Sequence, residues 1–194
     1  MTQSQHPHID GLFEGEPSVL YHRTRDPEIL FQKRPITLPS GHSFEAHTLT
    51  TGGNTRSVVV IAVREDEVLL VQSFRPSLGE LIWELPRGFG VGDPHDTEQA
   101  ERDAARELLE ETGYTAVRNT MLGEFVLDTT FYPSRLAVVR CEVADTTPSG
   151  ETDGEVEMHA WHPVAQISEL VRRGVLRDGA SLSALAIAGF HMTR

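Results

Sequence analysis

The sequence has a single cysteine, no excess of positive charge and no long hydrophobic run. The lone cysteine, Cys141, excludes an intramolecular disulfide, and its place in the apolar stretch 136–143 predicts a buried thiol. No N-terminal segment has the apolar centre of a signal peptide, and no run reaches the ~18 apolar residues of a membrane-spanning helix. These absences disfavour a secreted or membrane-spanning protein, so we expect a cytoplasmic one.

The net charge of the chain disfavours some classes of binding partner. The net charge of −12 argues against a nucleic acid or an anionic membrane as the main partner. It would also repel a phosphate-bearing substrate, so bound cations and locally placed arginines would have to reverse the sign at such a site. Hydrophobic residues make up 39% and charged residues 24% of the sequence, an ordinary balance for a globular domain with its own core.

The most informative segment comprises residues 92–114, GDPHDTEQAERDAARELLEETGY. Asp96 or Thr97 can cap the start of a helix, and Gly113 suits the left-handed residue that ends one. Several acidic side chains of this helix fall within about 100° of arc on a helical wheel. They belong to Asp103, Glu107, Glu110 and Glu111.

Such an acidic cluster is unfavourable in isolation. Like charges three or four residues apart each cost about 0.2–0.5 kcal/mol, and the end of a helix favours cations instead. Arg106 offsets only part of this repulsion. An acidic surface helix is the alternative, but a divalent cation with oxygen ligands, Mg²⁺ or Mn²⁺, explains the cluster better.

The spacing within this segment is also specific. It reads Gly92, five residues, Glu98, seven residues, Arg106-Glu107-Leu108, one residue, Glu110-Glu111, one residue, Gly113 and Tyr114. The pattern resembles the Nudix box, G-x5-E-x7-R-E-U-x-E-E-x-G-U with U aliphatic, and only Tyr114 departs from it. The resemblance implies an α/β fold of the Nudix type, an α/β/α sandwich with a mixed sheet.

The resemblance also implies roles for the acids. Glu107 and Glu111 are the pair best spaced to share metal ions, and Glu110 is a third ligand or orients a water. Glu98 would bind metal through water or hold Arg106, which itself orients the acids. For each glutamate the alternative is a solvated helix carboxylate.

The loop before the helix, residues 86–92, departs from the family pattern. Nudix proteins use a main-chain carbonyl there as a metal ligand, and we assign Gly88 to this role. The loop is longer than usual, so Gly88 or Gly90 rather than Gly92 can be the counterpart of the box glycine. Arg87 replaces a small residue and becomes a candidate substrate contact.

The rest of the chain predicts an organisation in three parts. Residues 1–17 are expected to be a flexible N-terminus, 18–53 a small lobe of two or three antiparallel strands, and 54–194 the Nudix catalytic domain. Predicted strands of the catalytic domain cover 57–63, 68–74, 122–127, 135–143 and 157–161, with a further strand that begins the segment 81–90 and ends at its Pro/Gly cluster. Predicted closing helices cover 164–172 and 181–190. This mixed order favours a sheet between helical layers.

Three features resemble the ADP-ribose pyrophosphatase branch of the Nudix hydrolases: the N-terminal strand lobe, VLLVQSFRPSLGELIWELPRG at 68–88, and LRDGASLSALAIAGF at 176–190. The branch implies a small-molecule nucleoside diphosphate substrate, with ADP-ribose hydrolysed to AMP and ribose 5-phosphate. Sugar nucleotides and dinucleotides are the alternatives. It also implies a homodimer in which the N-terminal lobe packs across the partner.

Candidate substrate contacts lie outside the box. The branch uses an arginine after the strand to contact the nucleotide, which is Arg75 here. Phe131 or Tyr132 could stack on a base, although a core aromatic is an equal alternative. Arg135 could contact the terminal phosphate.

The general base is expected on a late acidic loop. Glu155 is the first candidate, Glu151 and Glu157 follow, and Asp153 is a further one. The rival functions are a ligand-sensing Nudix-like domain without catalysis and an acidic adaptor protein. The intact acids of the box argue against the ligand-sensing domain, because a binding module has no need of mutually repelling carboxylates.

Overall fold

The computed structural model describes residues 9–25, 27–52, 56–144, 148, 152 and 154–190. The chain divides into two compact units. The first comprises Met1–Asn54 and Asp128–Ser134, and the second comprises Thr55–Leu127 and Arg135–Arg194. The first unit therefore includes a late segment that the predicted lobe, 18–53, did not contain.

The described part of the first unit is an antiparallel sheet of four strands: β1 Phe13–Glu14, β2 Ser18–Arg23, β3 Ile29–Thr37 and β4 Ser43–Thr51. Each of the other three strands pairs with β3. The predicted turn between β3 and β4 is present, with Gly41 at φ 85° donating its N–H to the carbonyl of Leu38. The short strand β1 lies within the predicted flexible N-terminus.

The late segment of the first unit is tied to β3 and β4. The N–H of Leu49 donates to the carbonyl of Phe131 at 2.8 Å, and the Phe131 ring lies 5.8 Å from that of Phe31. Asp128 folds the segment back, because its carboxylate accepts the N–H groups of Phe131 and Thr130. These backbone hydrogen bonds lower the pKa of Asp128.

The described part of the second unit contains a seven-stranded sheet and three α-helices. The strands are β5 Ser57–Arg64, β6 Glu67–Arg75, β7 Glu80–Glu84, β8 Arg87–Phe89, β9 Ala116–Val126, β10 Arg135–Val143 and β11 Met158–Pro163. The helices are α1 Thr97–Thr112, α2 Ile167–Arg172 and α3 Gly179–Ile187. Strand β5 runs parallel to β10 and antiparallel to β6 and β8, so the sheet is mixed, as predicted.

Helices cover both faces of this sheet. The central strand β5 sends Val58, Val60 and Ala62 into an apolar cluster with α1, and Val59 and Ile61 into a second cluster with α2 and α3. The continuous β-branched run of β5 is therefore buried on both sides, which is why it lacks the alternation of a half-exposed strand. The predicted helix–sheet–helix arrangement is confirmed.

Element boundaries differ from prediction where local signals are weak. The Pro/Gly cluster after β7 ends that strand at Glu84, but the chain then forms β8, which pairs with β5. Strand β9 begins at Ala116 rather than at residue 122, because its first half is polar and acquires its strand from pairing with β10. The first turn of the helix predicted at 164–172 is a 3-10 turn, Val164–Gln166. The last helix begins at Gly179 because Asp178 caps it.

Within the described residues, none of the helices combines the length and the apolar character required to cross a membrane.

Candidate functional site

Helix α1 is fixed at both ends by caps. The Asp96 carboxylate accepts the N–H of Gln99 at 3.2 Å, so Asp96 rather than Thr97 is the N-cap. At the other end Gly113 is left-handed, with φ 73°, and its N–H donates to the carbonyl of Leu109. Buried Ala104 and Leu108 hold the apolar face on the sheet, so the rotation of the helix is also set.

The acids of α1 occupy different environments. Glu107 and Glu111, one turn apart, are buried with 7% and 6% exposure. The side chain of Glu110 is 43% exposed. The side chain of Glu98 is 85% exposed, and its nearest cation is Arg102 at 3.5 Å. Glu107 and Glu111, like Asp103 on the same helix, are withdrawn from water, which is costly for charged groups unless cations or donors compensate.

Arg106 joins these acids to the preceding loop. Its guanidinium donates to Glu107 and Glu110 at 2.7 and 2.6 Å, and to the carbonyl of Phe89 at 2.7 Å. Burial acts to lower the pKa of Arg106, but the two carboxylates outweigh it and raise that pKa above its ordinary value. The arginine is therefore a permanent cation that orients both acids.

Two glycines let the loop lie against α1. A Cβ at Gly88 would overlap the carboxylate of Glu107, and a Cβ at Gly90 would overlap the backbone carbonyl of Arg56. The N–H of Gly90 donates to that same carbonyl at 3.1 Å. Larger residues at these positions would push the loop away from the helix.

Asp103 and Arg56 also anchor the loop. Asp103, buried on the acidic face of α1, accepts the N–H of Val91 at 3.1 Å and the side-chain amide of Gln99 at 3.0 Å. Buried Arg56 donates to the carbonyl of Asp96 at 2.8 Å. Sequence reasoning placed Asp103 among the acids without this role and missed Arg56, because a single arginine ahead of a strand has no distinguishing spacing.

The described residues do not bring three or more histidine, cysteine, aspartate or glutamate side chains into one metal-binding group. Mg²⁺ does not require such a group, because it retains several waters and uses one or two carboxylates together with substrate phosphates. The buried pair Glu107 and Glu111 supplies hard oxygen ligands, and Gly88 lets the Glu107 carboxylate approach the loop backbone. These three residues fit a divalent cation of this kind.

Two arginines converge on one buried carboxylate near the loop. Arg75 donates to Oε1 of Glu84, and Arg87 donates to Oε2 of the same residue at 3.1 Å. Glu84 is 1% exposed, whereas the arginine side chains are 35% and 25% exposed. Both arginine side chains are therefore partly exposed, whereas the carboxylate that they bind is not.

The other predicted residues lie elsewhere. Arg135 is exposed and donates to Glu124 at 2.9 Å. Phe131 belongs to the first unit, and Tyr132 contacts Thr51 within that unit. Glu155 has an exposed side chain in the loop before β11.

The remaining candidates for the general base are divided between described and undescribed residues. Glu157 is exposed, and its N–H donates to the carbonyl of Gln72 at 2.9 Å. Glu151 and Asp153 lie outside the described residues.

Comparison with known protein families identifies the family to which the chain belongs. The sequence model of the NUDIX domain matches residues 53–184. The chain belongs to the NUDIX domain family. This confirms the resemblance drawn from the Nudix box.

Curated relatives and a solved structure extend the comparison. The chain is 34% identical over 91 residues to the ADP-ribose pyrophosphatase of Bacillus subtilis (strain 168), covering 46% of this chain and 45% of that protein. It is 38% identical over 95 residues to the ADP-sugar pyrophosphatase of Mus musculus, covering 44% and 42%. The matches thus span less than half the length of each relative. A crystal structure of an ADP compounds hydrolase superposes with a TM-score of 0.70 at 19% identity, over 90% of this chain and 92% of that one, which confirms the Nudix fold.

Proposed function

We propose that this Nudix protein hydrolyses the diphosphate linkage of a nucleoside diphosphate joined to a second group, with a divalent metal as cofactor. ADP-ribose is the leading substrate, giving AMP and ribose 5-phosphate. The observation that carries the proposal is the buried pair Glu107 and Glu111 beside the Gly88 loop in a chain of this family. The names of the two curated relatives support the substrate class.

The proposed metal site comprises Glu107, Glu111 and the carbonyl of Gly88, with Mg²⁺ or Mn²⁺ as the ion. When bound, the ion would neutralise phosphate oxygens and lower the pKa of a water. Arg106 holds the Glu107 carboxylate in place through a hydrogen bond of 2.7 Å. Glu110, held by the same arginine, would orient water, and exposed Glu98 would act at most through water.

The proposed diphosphate contacts are Arg75 and Arg87. Their partly exposed side chains supply the local positive charge that a protein of net charge −12 needs to attract a phosphate-bearing substrate. Arg135 stays a candidate for the terminal phosphate, although its ion pair with Glu124 would have to open. Phe131, 44% exposed, stays a candidate for stacking on the base.

The proposed general base remains on the late acidic loop. Glu155 is the first candidate because it is an exposed acidic residue in the loop before β11. Glu151 is the second. Replacing each by glutamine and measuring the pH profile of turnover would separate them, since only loss of the true base removes the acidic limb.

A panel of substrates tests the proposed activity. The protein would be incubated with Mg²⁺ or Mn²⁺ and ADP-ribose, an ADP-sugar, a dinucleoside diphosphate or ADP alone, and the products separated by chromatography. We expect AMP from ADP-ribose, none from ADP alone, and none in EDTA. Binding of ADP-ribose without release of AMP would support the ligand-sensing alternative instead.

We also propose a cytoplasmic homodimer formed through the N-terminal lobe, residues 18–53. The strands of this lobe expose large apolar side chains, namely Val19, Leu20, Tyr21 and Phe44. An apolar surface of this kind is typical of an interaction site. Light scattering after gel filtration should give twice the mass of the chain, and a monomer at micromolar concentration would overturn the assignment.

A further inference from the structure

Glu84 is the common partner of two arginines on different strands. It ends β7, while Arg75 ends the neighbouring β6 and Arg87 begins β8. The two guanidinium groups bind different oxygens of the same carboxylate. A carboxylate with 1% exposure persists in a folded protein only when such partners compensate its charge.

The position of Glu84 is fixed from the other side by helix α3. The backbone N–H of the next residue, Leu85, donates to the hydroxyl of Ser181 at 2.9 Å, and Ser181 is fully buried. That hydroxyl donates in turn to Asp178, the N-cap of α3. Asp178 also lies 3.5 Å from Arg87. Backbone and side-chain contacts thus hold Glu84 and its second arginine within one network.

This network orders Arg75 and Arg87 and still leaves donors of both side chains for a bound anion. A guanidinium carries five N–H donors in a rigid plane, and Glu84 uses only some of those on each arginine. The side chains of Arg75 and Arg87 are 35% and 25% exposed, so part of each stays accessible to a ligand. Because ordering a flexible side chain opposes binding, arginines that are already held bind an anion more tightly than free ones.

We propose that Glu84 is a positioning residue that holds Arg75 and Arg87 side by side to bind the diphosphate of the substrate. It acts through the two arginines and does not itself touch the substrate. The inference rests on the proposed function, since it assigns these arginines to the substrate. It adds that the affinity for the diphosphate depends on a buried carboxylate outside the box helix.

Steady-state kinetics with ADP-ribose and Mg²⁺ provide the first test. Glu84→Gln should raise KM about tenfold, as expected when one charge-assisted hydrogen bond to an anion is weakened. It should change kcat far less, because these contacts form before and during the reaction alike. The matched control is Glu80→Gln on the same strand, whose carboxylate is exposed and pairs with Arg177. A fall in kcat with KM unchanged, or an equal effect of the control, would overturn the proposal.

A double-mutant cycle separates positioning from a general structural role. If Glu84 acts through the arginines, Glu84→Gln should raise KM less in the Arg75→Met background, where Arg87 still compensates the charge of Glu84, than in the wild-type protein. Independent, multiplying effects on KM would mean that Glu84 only supports the fold. Melting temperatures of all variants would show that each is folded when measured.

Binding of ADP in EDTA distinguishes failure of this inference from failure of the proposed function. An absence of turnover by the wild-type protein on every substrate would refute the proposed function alone. Calorimetry would then still be expected to show ADP binding that is about tenfold weaker in Glu84→Gln than in Glu80→Gln. Equal affinities, or no binding of ADP by the wild-type protein, would refute the role of Glu84.

Discussion

The carboxylate of Glu107 lies where the side chain of residue 88 would begin if that residue were not glycine. The contact joins the loop after β7 to helix α1 at a buried acid. Arg106 reinforces it by binding Glu107 and the carbonyl of Phe89. The position of this carboxylate is therefore determined jointly by the helix and by the loop backbone.

Gly88→Ala tests this relationship. The added methyl group should displace the Glu107 carboxylate or the loop, and a shift of about 1 Å at a catalytic group can lower turnover on the order of a hundredfold. Overpacking should also lower the free energy of unfolding by about 1–3 kcal/mol. Initial rates with ADP-ribose and urea denaturation measure the two effects.

Gly179→Ala is the matched control for Gly88→Ala. Gly179 begins α3, and a Cβ there would meet no heavy atom within 4 Å. Turnover by Gly179→Ala should stay at the wild-type level. Its free energy of unfolding should be equal or slightly higher, because alanine has a higher helix propensity than glycine. Wild-type kinetics in Gly88→Ala would mean that the loop does not set the position of Glu107.

Glu111→Gln tests the proposed metal site. The substitution keeps the size of the side chain and removes one of two buried carboxylates that lie one turn apart. Turnover should fall to background, whereas stability should be equal or higher by about 0.2–0.5 kcal/mol, because like charges at this spacing repel. Rates at saturating Mg²⁺ and melting curves in EDTA measure the two quantities.

The control for Glu111→Gln is Glu169→Gln, which changes an exposed acidic side chain beside Arg172 on α2. A Glu111→Gln variant with the activity of that control would contradict the metal assignment.

Local sequence signals were enough to predict the central strand and helix α1. The β-branched run of β5 and the caps of α1, Asp96 and Gly113, act within a few residues of chain. The same signals could not predict burial within the acidic cluster. Spacing places Glu110 on the same face as Glu107 and Glu111, whereas the folded chain leaves the Glu110 side chain 43% exposed and buries the other two.

Contacts between distant segments were not predictable from a single sequence. The arginines on Glu84 meet only because β6, β7 and β8 are brought together by the sheet. The segment Asp128–Ser134 joins the first unit across more than 70 residues of chain, as the hydrogen bond between Leu49 and Phe131 illustrates. Such pairings depend on the topology of the whole fold, for which local periodicity carries no information.

The thiol of Cys141 should be unreactive in the folded protein. It is fully buried on β10, which confirms the prediction of a core cysteine, and burial raises its pKa to about 12. Because only the thiolate is nucleophilic, iodoacetamide at about pH 8 should leave Cys141 unmodified. Mass spectrometry should detect the alkylated residue only after unfolding in urea. Rapid alkylation of the native protein would show that β10 opens readily.

Two histidines on β11 should make the stability of the second unit fall in mild acid. Burial lowers the pKa of His159, and it lowers that of His162 although Glu67 opposes the effect. The ordinary pKa of histidine is about 6.5, so just below this pH the unfolded chain binds more protons than the folded one. The free energy of unfolding is therefore highest above pH ~6.5 and decreases as the pH falls below it.

Urea unfolding between about pH 7 and 5 measures this effect of the two histidines. The range ends there because carboxylates also begin to titrate below about pH 5. The fluorescence of Trp83 and Trp161 follows the second unit, which contains both tryptophans. His159→Gln should reduce the loss of unfolding free energy across this range, because glutamine does not titrate. His95→Gln, at an exposed position of the same unit, is the control. An equal pH dependence in His159→Gln and the wild-type protein would show that burial of this ring on β11 does not disfavour its protonation.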